Sequence, residues 1–384
     1  MNSKSLDELI AIRHDLHAHP ELMFEEHRTS AIVVKELARL GFTVTAGIAG
    51  TGVIGTLRNG SGSRSIGIRA DMDALPIHET TNLPYASKTP GKAHSCGHDG
   101  HTTMLLAAAR RLAETRNFDG TVHLIFQPAE EEQSGARKMI EEGFLIRFPC
   151  DAIFALHNLP GEEVGQVTVR PGPITAAVDV ITITIRGLGG HGAVPQKAID
   201  PIVAASGVVL ALQSIISRNV DPHDPAVITV GAFNAGSMAT VIPEEAKLLL
   251  GLRTVTEDVR KLTHKRIREV VTGQAKSFGC EAEIDFGNEH ASYPAGFNTA
   301  PEAALVREVA LEFGQKPEKI DMRGPFMFSE DFAYFQQKVP TCYFGLGNGD
   351  SRMLHDPGYN FNDALIPKGA ELWNRVVEKF LPRS

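Results

Sequence analysis

The sequence is short of the features that mark several common classes of protein. Its 384 residues contain only four cysteines, which are far apart and form no C-x-x-C pair. This spacing favours neither a disulfide scaffold nor a dithiol redox motif. No run of lysine and arginine occurs, and the formal net charge is -8, so we expect no nucleic-acid partner.

Segments that would direct the chain to a membrane are also missing from the pattern. The start, MNSKSLDELI, lacks the apolar core of a signal peptide, so we expect no secretory signal. The most apolar run begins at Ile202 and is shorter than the roughly 20 residues that span a bilayer. We interpret it as a buried helix. The remaining composition, with 42% hydrophobic and 22% charged residues, is typical of a cytoplasmic enzyme of about two or three domains.

Short strands alternate with helical segments in the first part of the chain. The runs SIGIRA (65–70), TVHLIF (121–126) and DAIFAL (151–156) are rich in β-branched residues and predict buried strands of an α/β sheet. Polar residues follow each strand, and they include Asp71, Glu130 and His157. Because ligands of open α/β sheets bind beyond the carboxyl ends of strands, we expect these side chains to meet at one site.

The middle of the chain has a pattern of its own. Strands and helices follow there in the order β-α-β-β-α-β, which is the ferredoxin-like arrangement. We therefore predict a catalytic α/β domain with a central sheet, split by an inserted ferredoxin-like domain. The predicted boundaries are 1–175 for the first part of the catalytic domain, 176–292 for the insert and 293–384 for the second part.

The stretch HSCGHDGH, from His94 to His101, places three imidazoles, a thiol and a carboxylate within eight residues. A thiolate beside imidazoles is a good ligand for zinc-like ions. A single histidine or glutamate is usually just solvated, so the prediction depends on the whole set. The candidate donors are Cys96, His98, the glutamates at 130–132, His157 and His355. These nitrogen, sulfur and oxygen donors suffice for two divalent ions that share a bridging water or hydroxide.

Other polar residues receive simpler interpretations. The three histidines of RHDLHAHPE (13–21) lie on a predicted polar helix, and we interpret them as exposed or packed against a neighbour. His101 follows the loop by one helical turn, which favours a supporting contact over metal binding. Asp71 and Asp73 alternate about Met72, so both can face the site, where we expect them to orient a ligand imidazole.

An ordered set of motifs over essentially the whole chain resembles the bacterial amidohydrolases of the aminoacylase, hippurate hydrolase and carboxypeptidase G superfamily. The likeness is strongest to the branch with hippurate hydrolases and plant auxin-conjugate hydrolases. The motifs are IRADMDALP (68–76), CGHDGHTTMLL (96–106), FQPAEE (126–131), LHN (156–158), GGHGAVP (189–195), LRT (252–254), SEDFAYF (329–335) and LHDPGYNFND (354–363). The resemblance implies a two-metal hydrolase whose inserted domain is a lid that dimerises.

Roles for individual residues follow from this resemblance. The implied metal ligands are Cys96, His98, Glu131, His157 and His355. Glu130 is implied to be the general base, which deprotonates the metal-bound water and later protonates the leaving amine. His191 resembles a lid histidine that reaches the partner subunit's site and stabilises the oxyanion. Arg253 resembles the residue that holds the substrate carboxylate.

Two positions depart from the family pattern. Relatives commonly have asparagine where this chain has Thr240, and a hydroxyl lacks the paired donor and acceptor of an amide. Many relatives also have glycines after the QPAEE motif, where this chain has Glu132, Gln133 and Ser134. Neither change touches the proposed metal ligands, so both bear on the range of substrates.

We therefore expect a metal-dependent amidohydrolase that cleaves N-acyl-L-amino acids by attack of a metal-bound hydroxide. The expected cofactors are two divalent ions per subunit, chosen from Zn, Mn, Co and Ni. The expected assembly is a homodimer or homotetramer through the lid. A dipeptidase of the same superfamily is the nearest alternative. A binding protein without activity is a further alternative, but such a protein would have little need of the base Glu130.

Overall fold

The computed structural model describes residues 3–132, 134–287, 292–322 and 324–383. The helices in this part of the chain are α1 Ser3–Ala18, α2 His27–Arg39, α3 His98–Thr115, α4 Gly135–Glu141, α5 Phe144–Arg147, α6 Pro201–Asn219, α7 Glu257–Ser277, α8 Ala300–Glu312, α9 Pro317–Ile320, α10 Ala333–Gln336 and α11 Leu365–Phe380. A short 3-10 helix covers Pro195–Lys197.

The strands of the same residues alternate with these helices. They are β1 Thr43–Ile48, β2 Gly52–Asn59, β3 Ser65–Asp71, β4 Gly120–Gln127, β5 Ala152–Pro160, β6 Val167–Thr168, β7 Gly172–Thr175, β8 Ala177–Arg186, β9 Gly190–His191, β10 Ala226–Ala235, β11 Val241–Ile242, β12 Glu245–Thr254, β13 Glu281–Asp285, β14 Gly296–Asn298 and β15 Thr341–Gly349.

The chain divides into two compact units. The first contains the described residues of Met1–Ile174, Phe297–Gly324 and Asp331–Ser384, and the second contains those of Thr175–Gly296 and Pro325–Glu330. The segment 325–330 lies within the range that the sequence pattern assigns to the catalytic domain.

A seven-stranded sheet in the order β1-β2-β4-β3-β5-β15-β6 organises the first unit. The four central strands β4, β3, β5 and β15 run parallel to one another. Their apolar runs are buried, as expected of strands that are covered on both faces. Phe126 of β4 and Phe154 of β5 are fully buried and belong to one core with Trp373 of α11. The predicted α/β class with a large central sheet is confirmed.

The second unit has a four-stranded antiparallel sheet in the order β10-β12-β8-β13. In the second half of strand β8 apolar and polar residues alternate, and Ile181, Ile183 and Ile185 are fully buried, which is the period of a strand with one covered face. Helices α6 and α7 pack against each other and against this sheet. Along the chain the elements follow as β8, α6, β10, β12, α7 and β13.

Helix α6 is long and apolar enough to cross a membrane by length and composition alone. It begins at Pro201 after Asp200, whose carboxylate accepts a hydrogen bond of 2.8 Å from the amide of Ile202, as a helix N-cap does. Its residues Ala204, Val208 and Leu212 are fully buried in the core of the second unit. One face of α6 therefore serves as part of that core.

An ion cluster of the second unit joins β8 to α7. The buried carboxylate of Asp179 accepts hydrogen bonds of 2.9 and 2.6 Å from Arg260 and lies 3.0 Å from Nε2 of His264. Burial alone would raise the pKa of Asp179, but the hydrogen bonds from His264 and Arg260, and then the charge of Arg260, lower it to about 2. Asp179 is therefore ionised in the folded unit at neutral pH.

Candidate active site

The candidate donors of the first unit come from the carboxyl ends of neighbouring parallel strands. Asp71 ends β3, and Glu130 and Glu131 follow the last residue of β4 by three and four positions. His157 lies near the end of β5, and His355 lies in the loop after β15. Since parallel strands end at the same edge of a sheet, the topology alone brings these side chains together.

Cys96 and His98 enter the same place from the connection between β3 and α3. The sequence pattern placed both residues on a loop, whereas the structure begins α3 at His98. Gly97 precedes this helix with φ 93°, a left-handed conformation that glycine adopts without strain. A side chain there would also collide with Asn158, because a Cβ atom on Gly97 would lie 2.4 Å from Nδ2 of the Asn158 side chain.

Five candidate ligands have donor atoms at the spacing of groups that share an ion. They are Cys96, His98, Glu131, His157 and His355. Cys96 Sγ is 3.3 Å from His157 Nε2. Two oxygens of Glu131 face different imidazoles, at 3.8 Å from His98 Nε2 and 3.4 Å from His355 Nε2. Two tetrahedral ligands of a zinc-like ion lie about 3.5 Å apart, given ligand distances of about 2.0–2.3 Å. These separations therefore fit shared coordination.

In His98 and His157 the second ring nitrogen, Nδ1, has a partner that fixes the ring. His98 Nδ1 is 2.9 Å from the carbonyl oxygen of Asp73 and 3.2 Å from its carboxylate. His157 Nδ1 donates to the carbonyl of Asn158 at 2.8 Å. Such contacts favour the tautomer with the proton on Nδ1, in which Nε2 carries the lone pair that a metal requires. His98 Nε2 has no hydrogen-bond partner in the described part of the chain, although it is buried.

His101 differs from these two histidines because both of its nitrogens are occupied. Nδ1 lies 2.6 Å from the carboxylate of Asp71, and Nε2 accepts a hydrogen bond of 3.0 Å from the amide of Asn158. We therefore give His101 a supporting position. Asp71 contacts His101 and Arg69, whereas Asp73 contacts the ring of His98.

Electrostatics in this cluster favour a bound cation. Burial, and then the charges of Glu131 and Glu130, raise the pKa of the Cys96 thiol well above its ordinary value. Burial would lower the pKa of His98, but Asp71 and Asp73 outweigh it and raise this pKa to about 10. A divalent cation would lower both values, because it stabilises a thiolate and displaces the proton of an imidazolium.

Two buried donor atoms without hydrogen-bond partners show whether this set of residues fits metal ions. Glu131 Oε1 and His98 Nε2 are both buried without a hydrogen-bond partner among the described residues, and they face each other at 3.8 Å. Leaving a carboxylate oxygen unpaired in the interior is costly. Metal coordination would satisfy both atoms, so the residues fit the ions that the motif set implies.

The three consecutive glutamates occupy different environments. Glu130 is 6% exposed, and its carboxylate lies within 4.8 Å of ligand atoms of His98 and Glu131. The amide of Glu131 donates to the carboxylate of Asp73 at 3.0 Å. Glu132 is exposed. Their order along the chain therefore turns one carboxylate toward solvent and two toward the donor cluster.

Three predicted residues lie in the second unit. His191 is exposed on β9 and pairs with Val241 of β11. The carbonyl of Thr240 accepts a hydrogen bond of 2.8 Å from the amide of Gly192, so the structure brings Thr240 and His191 together. Arg253 lies on β12, where it pairs with Val227 of β10.

The sequence pattern did not identify a buried network behind the strand ends. The guanidinium of Arg69 donates to Asp71 at 2.6 Å, to the side-chain oxygen of Gln127 at 2.8 Å and to Asp331 at 3.2 Å. All four side chains are buried. An arginine in the middle of an apolar strand, SIGIRAD, was the available signal, because a buried charge requires partners.

The chain belongs to the peptidase family M20/M25/M40, whose family model matches residues 67–379. It is 42% identical to the hippurate hydrolase of Campylobacter jejuni over 96% of each chain. It is 39% identical to the N-acetyl-L-cysteine deacetylase of Bacillus subtilis over 97% of this chain and 88% of the relative.

A solved structure gives a similar result. The YXEP protein of Bacillus subtilis, described as a dinuclear metal-binding peptidase of the M20 family, is 32% identical with a TM-score of 0.86. The match covers 99% of both chains. Membership of a family with a dinuclear member agrees with the number and type of the clustered donors.

Proposed function

We propose that the protein is a metal-dependent amidohydrolase that cleaves the amide bond between an acyl group and the α-amino group of an L-amino acid. The observation that carries the proposal is the cluster of thiol, imidazole and carboxylate donors at the strand ends, with buried donor atoms facing each other. The relatives named as hippurate hydrolase and N-acetyl-L-cysteine deacetylase support the substrate class.

We assign the metal ligands to five residues of the first unit. They are Cys96, His98, Glu131, His157 and His355. When bound, two divalent ions, which we take to be Zn, Mn, Co or Ni, would acidify water and polarise the scissile carbonyl. Burial keeps the pKa of His157 well below its ordinary value, so this imidazole is neutral and ready to coordinate.

Glu130 is the proposed general base. Its carboxylate is buried beside the donor cluster, where it accepts a proton from water as the water oxygen adds to the amide carbon. The same carboxyl group then delivers that proton to the nitrogen as the C–N bond breaks. The products are a carboxylic acid and a free amino acid.

Arg253 is suited to hold the carboxylate of the substrate. One of its terminal nitrogens donates to the carbonyl of Met327 at 3.2 Å and to Ser329 Oγ at 2.9 Å. Within the described residues its other two nitrogens have no hydrogen-bond acceptor and remain available for a bidentate carboxylate. His191 is proposed to stabilise the oxyanion in the partner subunit's site, and Thr240, its neighbour, is proposed to contact the substrate.

We propose that the second unit serves as a lid and as the interface of a homodimer or homotetramer. It exposes several large apolar side chains, which supports an interface role. These are Val203, Leu210, Val227, Phe233 and Leu249. The proposed domain boundaries are those of the sequence pattern, 1–175, 176–292 and 293–384. The four cysteines are free and buried, which suits the reducing cytoplasm.

A substrate panel tests this function. The purified protein, loaded with Zn, Mn or Co, is assayed for release of amine from benzoyl-, acetyl- and indole-acetyl-amino acids, with dipeptides as a second group. We expect hydrolysis of at least one acyl-amino acid and little activity on substrates whose carboxylate is amidated. Preference for dipeptides would favour the dipeptidase that the family name allows, and no hydrolysis of either group by the metal-loaded protein would contradict the proposal.

A further inference from the structure

Hydrogen bonds from backbone amides to buried carboxylates anchor the loop that carries Glu130 and Glu131. It leaves β4 at Gln127 and reaches α4 at Gly135. The amide of Glu131 donates to Asp73, and the amide of Ala136 donates to the carboxylate of Asp331 at 2.9 Å. A further backbone contact of the loop is made by Ala129, the residue directly before the proposed base.

Ala129 has an unusual backbone conformation. Its φ is 53°, in the left-handed region that residues with a Cβ atom rarely adopt. Such a conformation persists only when the surroundings enforce it. Both backbone polar groups of Ala129 are engaged, because its carbonyl accepts from the amide of Gly135 at 2.9 Å and its amide donates to Glu26 Oε1 at 2.9 Å.

Glu26, the residue directly before helix α2, contacts this loop with its side chain. Its side chain is fully buried, and its second oxygen, Oε2, accepts a hydrogen bond of 2.5 Å from Thr51 Oγ1. The two oxygens thus join the start of β2 to the backbone of the loop. No arginine or lysine among the described residues pairs with this carboxylate, so its role in the fold is that of a double acceptor.

We propose that Glu26 is a positioning residue for the general base, holding Ala129 in its left-handed conformation so that Glu130 points into the donor cluster. The proposal rests on the proposed hydrolysis for its kinetic consequence. Glu131 has its own fastening through Asp73 and faces two imidazoles. Loss of the Glu26 acceptor should therefore displace Glu130 more than it weakens metal binding.

The test compares substitutions that keep the size of the side chain. Glu26→Met removes both acceptors, whereas Glu26→Gln keeps an oxygen for the amide of Ala129 and offers an NH2 group to Thr51. We expect Glu26→Met to lose about 10- to 100-fold in kcat, the range for a misplaced catalytic group. Its KM and metal content should stay close to those of the wild type. Glu26→Gln should restore most of kcat.

Glu21→Met is the matched control. The carboxylate of Glu21 accepts from the amides of Arg28 and Thr29, at 2.9 and 2.8 Å, in the first turn of α2. Among the described residues no hydrogen bond joins this carboxylate to the loop of Glu130. This variant should lower the melting temperature without lowering kcat. Thr51→Val supplies a second perturbation, since it removes only the hydroxyl that orients Glu26, and it should lower kcat less than Glu26→Met does.

Amide hydrogen exchange separates this inference from the proposed function. Exchange of the Ala129 amide should be faster in Glu26→Met than in Glu21→Met, whatever substrate the enzyme uses. Unchanged exchange and unchanged kcat in Glu26→Met would overturn the positioning role. Equal loss of kcat in Glu26→Gln and Glu26→Met would also overturn it, because the charge rather than the acceptor would then matter.

An inactive wild type with the expected exchange pattern would refute only the hydrolysis. If Glu26→Met does not fold, Thr51→Val with wild-type kcat and exchange would overturn the inference.

Discussion

The three consecutive glutamates permit one substitution to be made in three environments. Each is changed to glutamine, which keeps the size of the side chain and removes its charge. Glu130 is buried beside the donor cluster, Glu131 lies between two imidazoles, and Glu132 is exposed. The last variant is therefore a matched control for the other two.

The expected effects differ in kind. Glu130→Gln should keep its metal ions and lose at least ~10²-fold in kcat, the usual scale for a general base, which corresponds to about 2.7 kcal/mol of transition-state stabilisation. Glu131 presents its two oxygens to different histidines, at 3.8 Å from His98 and 3.4 Å from His355. Glu131→Gln therefore removes an anionic ligand from between these two imidazoles. Its metal content should fall from about two ions per chain to about one or none. Glu132→Gln should change kcat by less than about twofold.

Elemental analysis after gel filtration, combined with steady-state rates at saturating substrate, measures both effects on the same samples. Melting temperatures show whether each variant is folded. The reasoning is refuted if Glu132→Gln loses metal while Glu131→Gln keeps it. It is equally refuted if Glu130→Gln retains wild-type kcat with both ions bound.

Three further predictions follow from the same contacts. Cys96→Ser should weaken metal affinity by at least ~10-fold in a competition titration with a chelator, because a neutral hydroxyl is a poorer ligand than a thiolate; unchanged affinity would remove Cys96 from the ligand set. Asp179→Asn should destabilise the fold by about 2 kcal/mol above pH 4, and this difference should shrink as the pH falls toward 2. The stability from a pKa lowered to about 2 is complete above the ordinary pKa of about 3.9 and is lost as the pH falls from there through the lowered pKa. A pH-independent difference in chemical denaturation would contradict that ion cluster. His191→Ala and Glu130→Gln should each be inactive alone but regain activity when their subunits are exchanged, and no recovery despite exchange shown by mass spectrometry would place His191 outside the partner's site.

Much of the fold was predictable because its strands and helices have clear periods. The strand predicted over 121–126 is observed as Gly120–Gln127, and the helix predicted for the apolar run from Ile202 is observed as Pro201–Asn219. Strands β1 and β2 at the sheet edge, in contrast, were not predicted. Their residues include several glycines and polar side chains, so pairing within the sheet rather than local pattern defines them: β2 pairs with β4, and β1 pairs with β2.

The candidate donors were predictable because each follows a strand or lies in a short motif rich in histidine and cysteine. The supporting residues were harder to find, because their partners are distant in sequence. Glu26 meets Ala129 across 103 positions, and Arg69 meets Asp331 across 262 positions. The helical start at His98 was missed because Gly97, a residue that usually ends a helix, stands here at its beginning.

The claim that bound divalent ions enable amide hydrolysis is tested most directly by a metal titration. The protein is stripped with a chelator until elemental analysis finds less than about 0.1 ion per chain. Zn, Mn or Co is then added stepwise while the initial rate of amine release from an N-acyl-amino acid is followed. We expect no activity in the stripped protein and a rate that rises until about two equivalents per chain have bound. Full activity in the stripped protein would contradict the metal-dependent mechanism.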